Sequence, residues 1–199
     1  YMSFFLNQTN RYHKNDLDNL KWEVTVCNSM ESQTSPIRQI LVENRTYGEH
    51  LWDYLFQYIP RKQCKKVMEV GGGYGFLMRD LLRDSPGTKV TMVDISPAMM
   101  TFQRQTLDGS HIRFLQSDFF DIDTGLIQGQ DLVVMNEIVG DFPTACGMTK
   151  KMVAAGNHDN EIVDKIQEYC KQGIITPPDD EAFNLNIGAM MALDRICSC

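Results

Sequence analysis

The sequence predicts an α/β fold built on a parallel sheet, and three observations predict it. Between Lys65 and Glu137 short apolar runs alternate with segments of helical period. Each run is nearly continuous and bounded by turn residues, the pattern of strands covered on both faces. The first run passes directly into a glycine-rich turn, Gly71-Gly72-Gly73-Tyr74-Gly75, that opens a helix. A chain of 199 residues suffices for one full domain and an added cap.

Taken in order, residues 1 to about 60 read as an irregular start, a strand-like run Trp22–Val26, and one helix. Ser35 as N-cap and Pro36 at the first helical position announce that helix, and Ile37, Ile40, Leu41, Tyr47, Leu51, Tyr54, Leu55 and Tyr58 recur at helical spacing until Pro60. The first strand of the sheet is Lys66–Val70, followed by a helix carrying Phe76, Leu77, Leu81 and Leu82 and closed by Asp84-Ser85-Pro86-Gly87. The second strand is Lys89–Asp94. Ser96 and Pro97 start a helix through about Leu107, and Asp108-Gly109 turns the chain into a third strand, Ile112–Gln116. A loop, Gly125–Gly129, precedes the fourth strand, Asp131–Met135. Beyond Glu137 the spacing predicts a helix over Glu161–Lys171 and another from near Asp180, with Thr176-Pro177-Pro178 between them and no fifth strand.

Composition narrows the function. Hydrophobic residues at 43% and charged residues at 23% describe a chain that folds, not a disordered or fibrous one. With 19 Lys+Arg against 26 Asp+Glu the net charge is −7, the wrong sign for neutralising many phosphates, so nucleic acid is disfavoured as a partner. No apolar run approaches a membrane span and Tyr1–Leu6 lacks the features of a signal peptide, which predicts a cytoplasmic protein without a membrane partner. The six cysteines form no CxxC pair and are expected as reduced thiols; Cys197-x-Cys199 lacks further ligands for a metal.

Ligands of an open parallel sheet bind beyond the carboxyl ends of its strands. Those ends carry Glu69 and the glycine turn, Asp94-Ile95, Asp118-Phe119, and Asn136-Glu137, so each strand delivers a polar or acidic group to one edge. Residues without a Cβ let the backbone approach a ligand, and the following helix aims N–H groups at it. Asp94, 23 residues after Gly71, stands where a carboxylate accepts both hydroxyls of a ribose. A dinucleotide fingerprint would need a third glycine where Phe76 stands.

Glu69-Val70-Gly71-Gly72-Gly73-Tyr74-Gly75 resembles the first motif of the class I S-adenosylmethionine-dependent methyltransferases: an acidic residue, any residue, then Gly-x-Gly-x-Gly. The resemblance runs from about residue 45 to 140. It implies a Rossmann-like methyltransferase sheet with the visible strands in the order 3-2-1-4 and the C-terminal strands missing, behind a small N-terminal helical cap. Residues 1–44 would be that cap and 45–199 the cofactor-binding domain, truncated in this chain. It further implies S-adenosylmethionine as cofactor, with Glu69, Gly71, Gly73 and Gly75 at its amino-acid end. Asp94 would take the ribose, Ile95 the adenine face, and Asp118 with Phe119 the adenine amino group. Asn136 and Glu137 would border the methyl group, and Tyr47 would close over the cofactor from the leading helix. An acidic rim suits a sulfonium and an ammonium.

Transfer from a sulfonium depends on alignment, with a base required only for an acceptor that must lose a proton. Glu137 and Asp141 are the candidate bases, in a segment faintly similar to the Asn-Glu loop of the arginine methyltransferases acting on mitochondrial complex I subunits. The acceptor is expected to be a small molecule or a protein side chain. Two other functions stay open: a cofactor-binding module without catalysis that acts through a partner, and a nicotinamide oxidoreductase. Of the histidines only His158 stands in a polar loop suited to a lid, and the paired methionines read as core.

Overall fold

The structure is a computed structural model that describes residues 4–7, 13–14, 25–41, 43–155, 160–179 and 182–199. The chain divides into two compact units, Tyr12–Ile138 with Ile196–Cys199, and Tyr1–Arg11 with Val139–Arg195.

The larger unit holds the predicted parallel sheet. Its strands β2 (Lys66–Val70), β3 (Lys89–Asp94), β4 (Ile112–Gln116) and β5 (Leu132–Val134) lie in the order β4-β3-β2-β5, the expected 3-2-1-4 arrangement. All pairings are parallel, with Val67 opposite Val90, Glu69 opposite Met92 and Val134, and Asp94 opposite Gln116. β2 and β3 are buried beyond their first residue, whereas β4, at the sheet's edge, is only half-buried. Val67, Val90 and Met92 pack with Trp52, Leu77, Met78, Leu81, Met100 and Leu107 in one core.

Helices α4 (Phe76–Asp84) and α5 (Pro97–Thr106) connect these strands. Gly75 caps α4 in the left-handed conformation, with φ of 82°. Ser96 caps α5 by accepting from the amide of Met99, with Pro97 at the first position as its fixed φ favours. The stretch Gly125–Gly129 is a correction: Thr124–Gln128 forms a short helix, α6, because Asp123 accepts from the amide of Gly125 and caps it.

The leading region departs from expectation. Trp22, Glu23 and Val24 lie outside the described residues, and Val26 belongs to a helix, α1 (Val26–Ser29), capped by Thr25. The single helix expected from Pro36 to Tyr58 is two, α2 (Pro36–Ile40) and α3 (Tyr47–Leu55). Thr46 restarts the helix through a capping box: its hydroxyl accepts from Glu49 N and the Glu49 carboxylate accepts from Thr46 N at 2.6 Å. Helical spacing overstated the buried face, since Ile40, Tyr54 and Tyr58 are exposed, while Trp52 is buried and donates to the Leu77 carbonyl at 2.8 Å.

The second unit carries strands the sequence hid. β1 (Phe5–Asn7), β6 (Thr144–Met148) and β7 (Phe183–Leu185) form a separate antiparallel sheet in the order β1-β6-β7. The last helix, α9 (Ile187–Cys197), therefore starts after a strand rather than near Asp180. Helix α7 (Lys150–Ala155) follows β6, and α8 (Glu161–Lys171) falls where expected, capped by Asn160. Ala145, Met148, Val163, Ile166, Tyr169 and Ile187 make this unit's own core. Among the described residues no helix is long and apolar enough to cross a membrane.

Candidate functional site

Backbone hydrogen bonds continue past the strand ends and hold their tips side by side. Gly71 N donates to Val93 O at 2.8 Å, and Ser117 N to Asp94 O at 3.0 Å. The glycine turn, Asp94 and Ser117-Asp118 therefore share one edge, with Asn136 two residues past Val134 just as Gly71 is two past its register partner Glu69.

The turn needs glycine at several places for different reasons. Gly71, Gly73 and Gly75 all have positive φ, of 66°, 51° and 82°. A side chain on Gly71 would also run into Ile138, whereas Gly73 faces open space. A Cβ on Gly72 would stand 2.6 Å from Glu69 Oε2 and 2.5 Å from the Met92 methyl. The turn thus forms a thin backbone floor over a carboxylate.

That carboxylate is the site's strongest electrostatic feature. Glu69 is 2% exposed and its Oε2 has no hydrogen-bond partner among the described residues. Burial, helped by the nearby charge of Asp94, pushes its pKa up to about 8. Asp94 is also buried, and burial raises its pKa against the opposing pull of its hydrogen bonds and of His13. Its Oδ1 accepts from Ser96 N at 2.9 Å and its Oδ2 from Gln103 Nε2 at 2.8 Å. The same Gln103 nitrogen donates to Gly73 O at 3.1 Å, so Gly73 and Asp94 lie on one side of the molecule.

A second cluster gathers past β5. Tyr47 donates its phenol proton to Asn136 Oδ1 at 2.8 Å. Glu137, at φ of 56° the non-glycine residue with left-handed backbone among those described, accepts from Val26 N through both carboxylate oxygens at 3.3 and 3.2 Å. Cys27 Sγ lies 3.9 Å from Asn136 Nδ2, and burial together with Glu69 and Glu137 pushes its thiol up to about 12, a protonated and unreactive state.

The remaining expected residues fall out as follows. Ile95 is half-buried at the tip of β3, and Asp118 caps the turn Phe119–Asp121 by accepting from Phe120 N at 3.1 Å. Phe119 is 3% exposed and stacks edge-on with Phe120, in the core beside that tip. Asp141 ends a short turn, Val139–Asp141, of the other unit. His158 lies outside the described residues. Of the expected aromatics, Trp52 is core and Tyr54 and Tyr58 pair with each other in solvent.

Sequence reasoning missed Gln103 and His13. The signal for Gln103 was present: it sits between Met100 and Leu107 on the apolar stripe of α5 and is 0% exposed, a place where a polar side chain requires partners. For His13 no local signal existed.

Comparison with known proteins agrees with this geometry. The family described as "Methyltransferase domain" matches residues 68–159. A malonyl-[acyl-carrier protein] O-methyltransferase of Acetivibrio thermocellus is 30% identical over 101 residues, 51% of this chain and 35% of the relative. A polyamine aminopropyltransferase of Sulfolobus acidocaldarius is 33% identical over 101 residues, 51% of this chain and 32% of the relative. The chain thus spans about a third of the length of these curated relatives. A crystal structure of an uncharacterised protein from Burkholderia thailandensis shares the fold at a TM-score of 0.50 and 17% identity, over 97% of this chain and 54% of that one. Over residues 68–159, which carry the glycine motif and the whole of strands β3, β4 and β5 of the parallel sheet, the chain is similar to a methyltransferase domain.

Proposed function

We propose that the chain binds S-adenosylmethionine at the tips of β2, β3, β4 and β5 and transfers its methyl group to a nucleophile on a small molecule or a protein side chain. The observation that carries this reading is the Oε2 of Glu69, unpartnered among the described residues, beneath a glycine turn in which a Cβ on Gly72 would stand 2.6 Å from it. An isolated buried carboxylate is unfavourable, and a ligand bringing positive charge relieves it. A pyrophosphate, which is anionic, does not offer that charge.

In this reading Glu69, Gly71, Gly73 and Gly75 receive the amino-acid end, and Asp94 accepts from the ribose hydroxyls. Ile95 covers one adenine face, and Asp118, backed by Phe119, accepts from the adenine amino group. Asn136, oriented by Tyr47, borders the reacting centre. When bound, S-adenosylmethionine supplies a methyl group already activated on sulfur, so the departing thioether needs no acid. Glu137 then orients the acceptor or takes its proton. The named activities of the two relatives, on a malonyl carrier and on polyamines, make carboxylate and amine acceptors the first to assay.

Calorimetry with S-adenosylhomocysteine and with a nicotinamide dinucleotide tests the cofactor, and labelled-methyl transfer tests the reaction. Binding of the first ligand alone, with transfer, is expected. Binding without transfer to any acceptor favours the catalytically silent module, and binding of the dinucleotide alone overturns the proposal.

A further inference from the structure

The ribose carboxylate and the glycine floor come from different turns, and one side chain ties them together. Gln103 is fully buried on α5, and its single amide nitrogen donates to Gly73 O at 3.1 Å and to Asp94 Oδ2 at 2.8 Å. Both partners are acceptors, which fixes the orientation of the amide. Its own Oε1 is buried without a partner among the described residues. For packing alone such a group is a poor choice, because an unpaired buried carbonyl is destabilising and an apolar side chain of equal length would fill the same space. The two bonds it makes are therefore the reason for an amide here.

Those bonds fix how Asp94 is presented. Ser96 N donates to Oδ1 and Gln103 to Oδ2, and the backbone of Ile95 adds a further hydrogen bond, so the carboxylate is held from several directions. A carboxylate held at a fixed orientation can accept from two vicinal hydroxyls only in one pose. We propose that Gln103 is a positioning residue that sets the spacing between Gly73 and Asp94, and that selectivity for a vicinal diol on the bound nucleoside depends on it. This rests on the reading of the site as an adenosyl pocket.

The test compares wild type and Gln103→Met, which keeps length and removes both donors. Calorimetry would use S-adenosylhomocysteine and its 2′,3′-dideoxyribose analogue. Wild type should bind the analogue roughly 10–100-fold more weakly, the range for hydrogen bonds to a charged group. Gln103→Met should lose about tenfold on S-adenosylhomocysteine and much less on the analogue, so that the diol preference shrinks. Unchanged affinity for S-adenosylhomocysteine overturns the proposal, and so does an equal loss on both ligands, the result of a merely structural role. Should the variant fail to fold, the side-chain amide resonances of Gln103 in the wild type decide: they shift on titration with S-adenosylhomocysteine more than with the analogue, and an equal response overturns the proposal. Failure of wild type to bind S-adenosylhomocysteine overturns the adenosyl reading itself, and this inference with it.

Discussion

The phenol of Tyr47 and the amide of Asn136 meet at 2.8 Å, joining the first turn of α3 to the residue that follows β5. Asn136 thereby has one oxygen fixed, and its nitrogen is aimed towards Cys27 and Glu137. Tyr47→Phe removes this bond while keeping the ring. The expected outcome is a stability loss of about 0.5–1.5 kcal/mol in urea unfolding, with a higher KM for the methyl donor. An unchanged KM would detach Tyr47 from the site.

Glu69 makes the site sensitive to pH in a defined direction. An ordinary carboxyl titrates near 4.5, and burial moves this one to about 8 in the folded chain. The folded state therefore holds a proton that the unfolded state releases, and the stability this confers is present below about 4.5 and lost as pH rises towards 8. Glu69→Gln should flatten that decline in thermal unfolding profiles. A cationic ligand favours the ionised carboxylate, so binding of S-adenosylhomocysteine, through its ammonium, should release a proton at pH 7. Calorimetry in buffers of different ionisation enthalpy measures it, and zero release would separate Glu69 from the ligand.

Asp94→Ala should weaken S-adenosylhomocysteine binding by about 1–3 kcal/mol, because ribose hydroxyls would be buried without acceptors. The substitution also strips Ser96 N and Gln103 Nε2 of their partner, so some stability is lost as well. Affinity is the measurement that decides; wild-type affinity in Asp94→Ala would remove the carboxylate from the pocket.

Alanine at two glycines separates strain from contact. At Gly73 a methyl group meets open space and bears only the strain of φ at 51°, about 1–2 kcal/mol. At Gly71 the same strain is joined by a collision with Ile138, so Gly71→Ala should be the less stable of the two in chemical denaturation. Gly73→Ala should nevertheless bind the adenosyl ligand poorly, because that open space is where the ligand approaches.

The sheet was legible because its signals are local. Pro97 after Ser96, the Asp108-Gly109 turn and the glycine run after Val70 mark their boundaries within a few residues, and β2, β3 and β4 match the expected ranges. The second sheet was not legible, since Phe5–Asn7, Thr144–Met148 and Phe183–Leu185 are short and pair across long separations. In the site, Glu69 and Asp94 announced themselves by lying at strand ends. The pairing of Tyr47 with Asn136, and of Gln103 with Gly73 and Asp94, depends on how helices pack over the sheet, which no spacing in the chain encodes.

Asp80 is buried on α4, where Arg79 donates to one carboxylate oxygen and the Thr46 hydroxyl to the other, and Gly48 of α3 packs so tightly against it that a methyl group would not fit. Arg79 in turn grips Glu31 with both of its terminal nitrogens. Peeling α3 away would cost Asp80 the Thr46 hydroxyl and break the close contact with Gly48 together, so the two helices are tied at one point. The two helices should accordingly exchange their amide hydrogens as one cooperative block, with the leading segment and the helix behind the glycine turn opening and closing together.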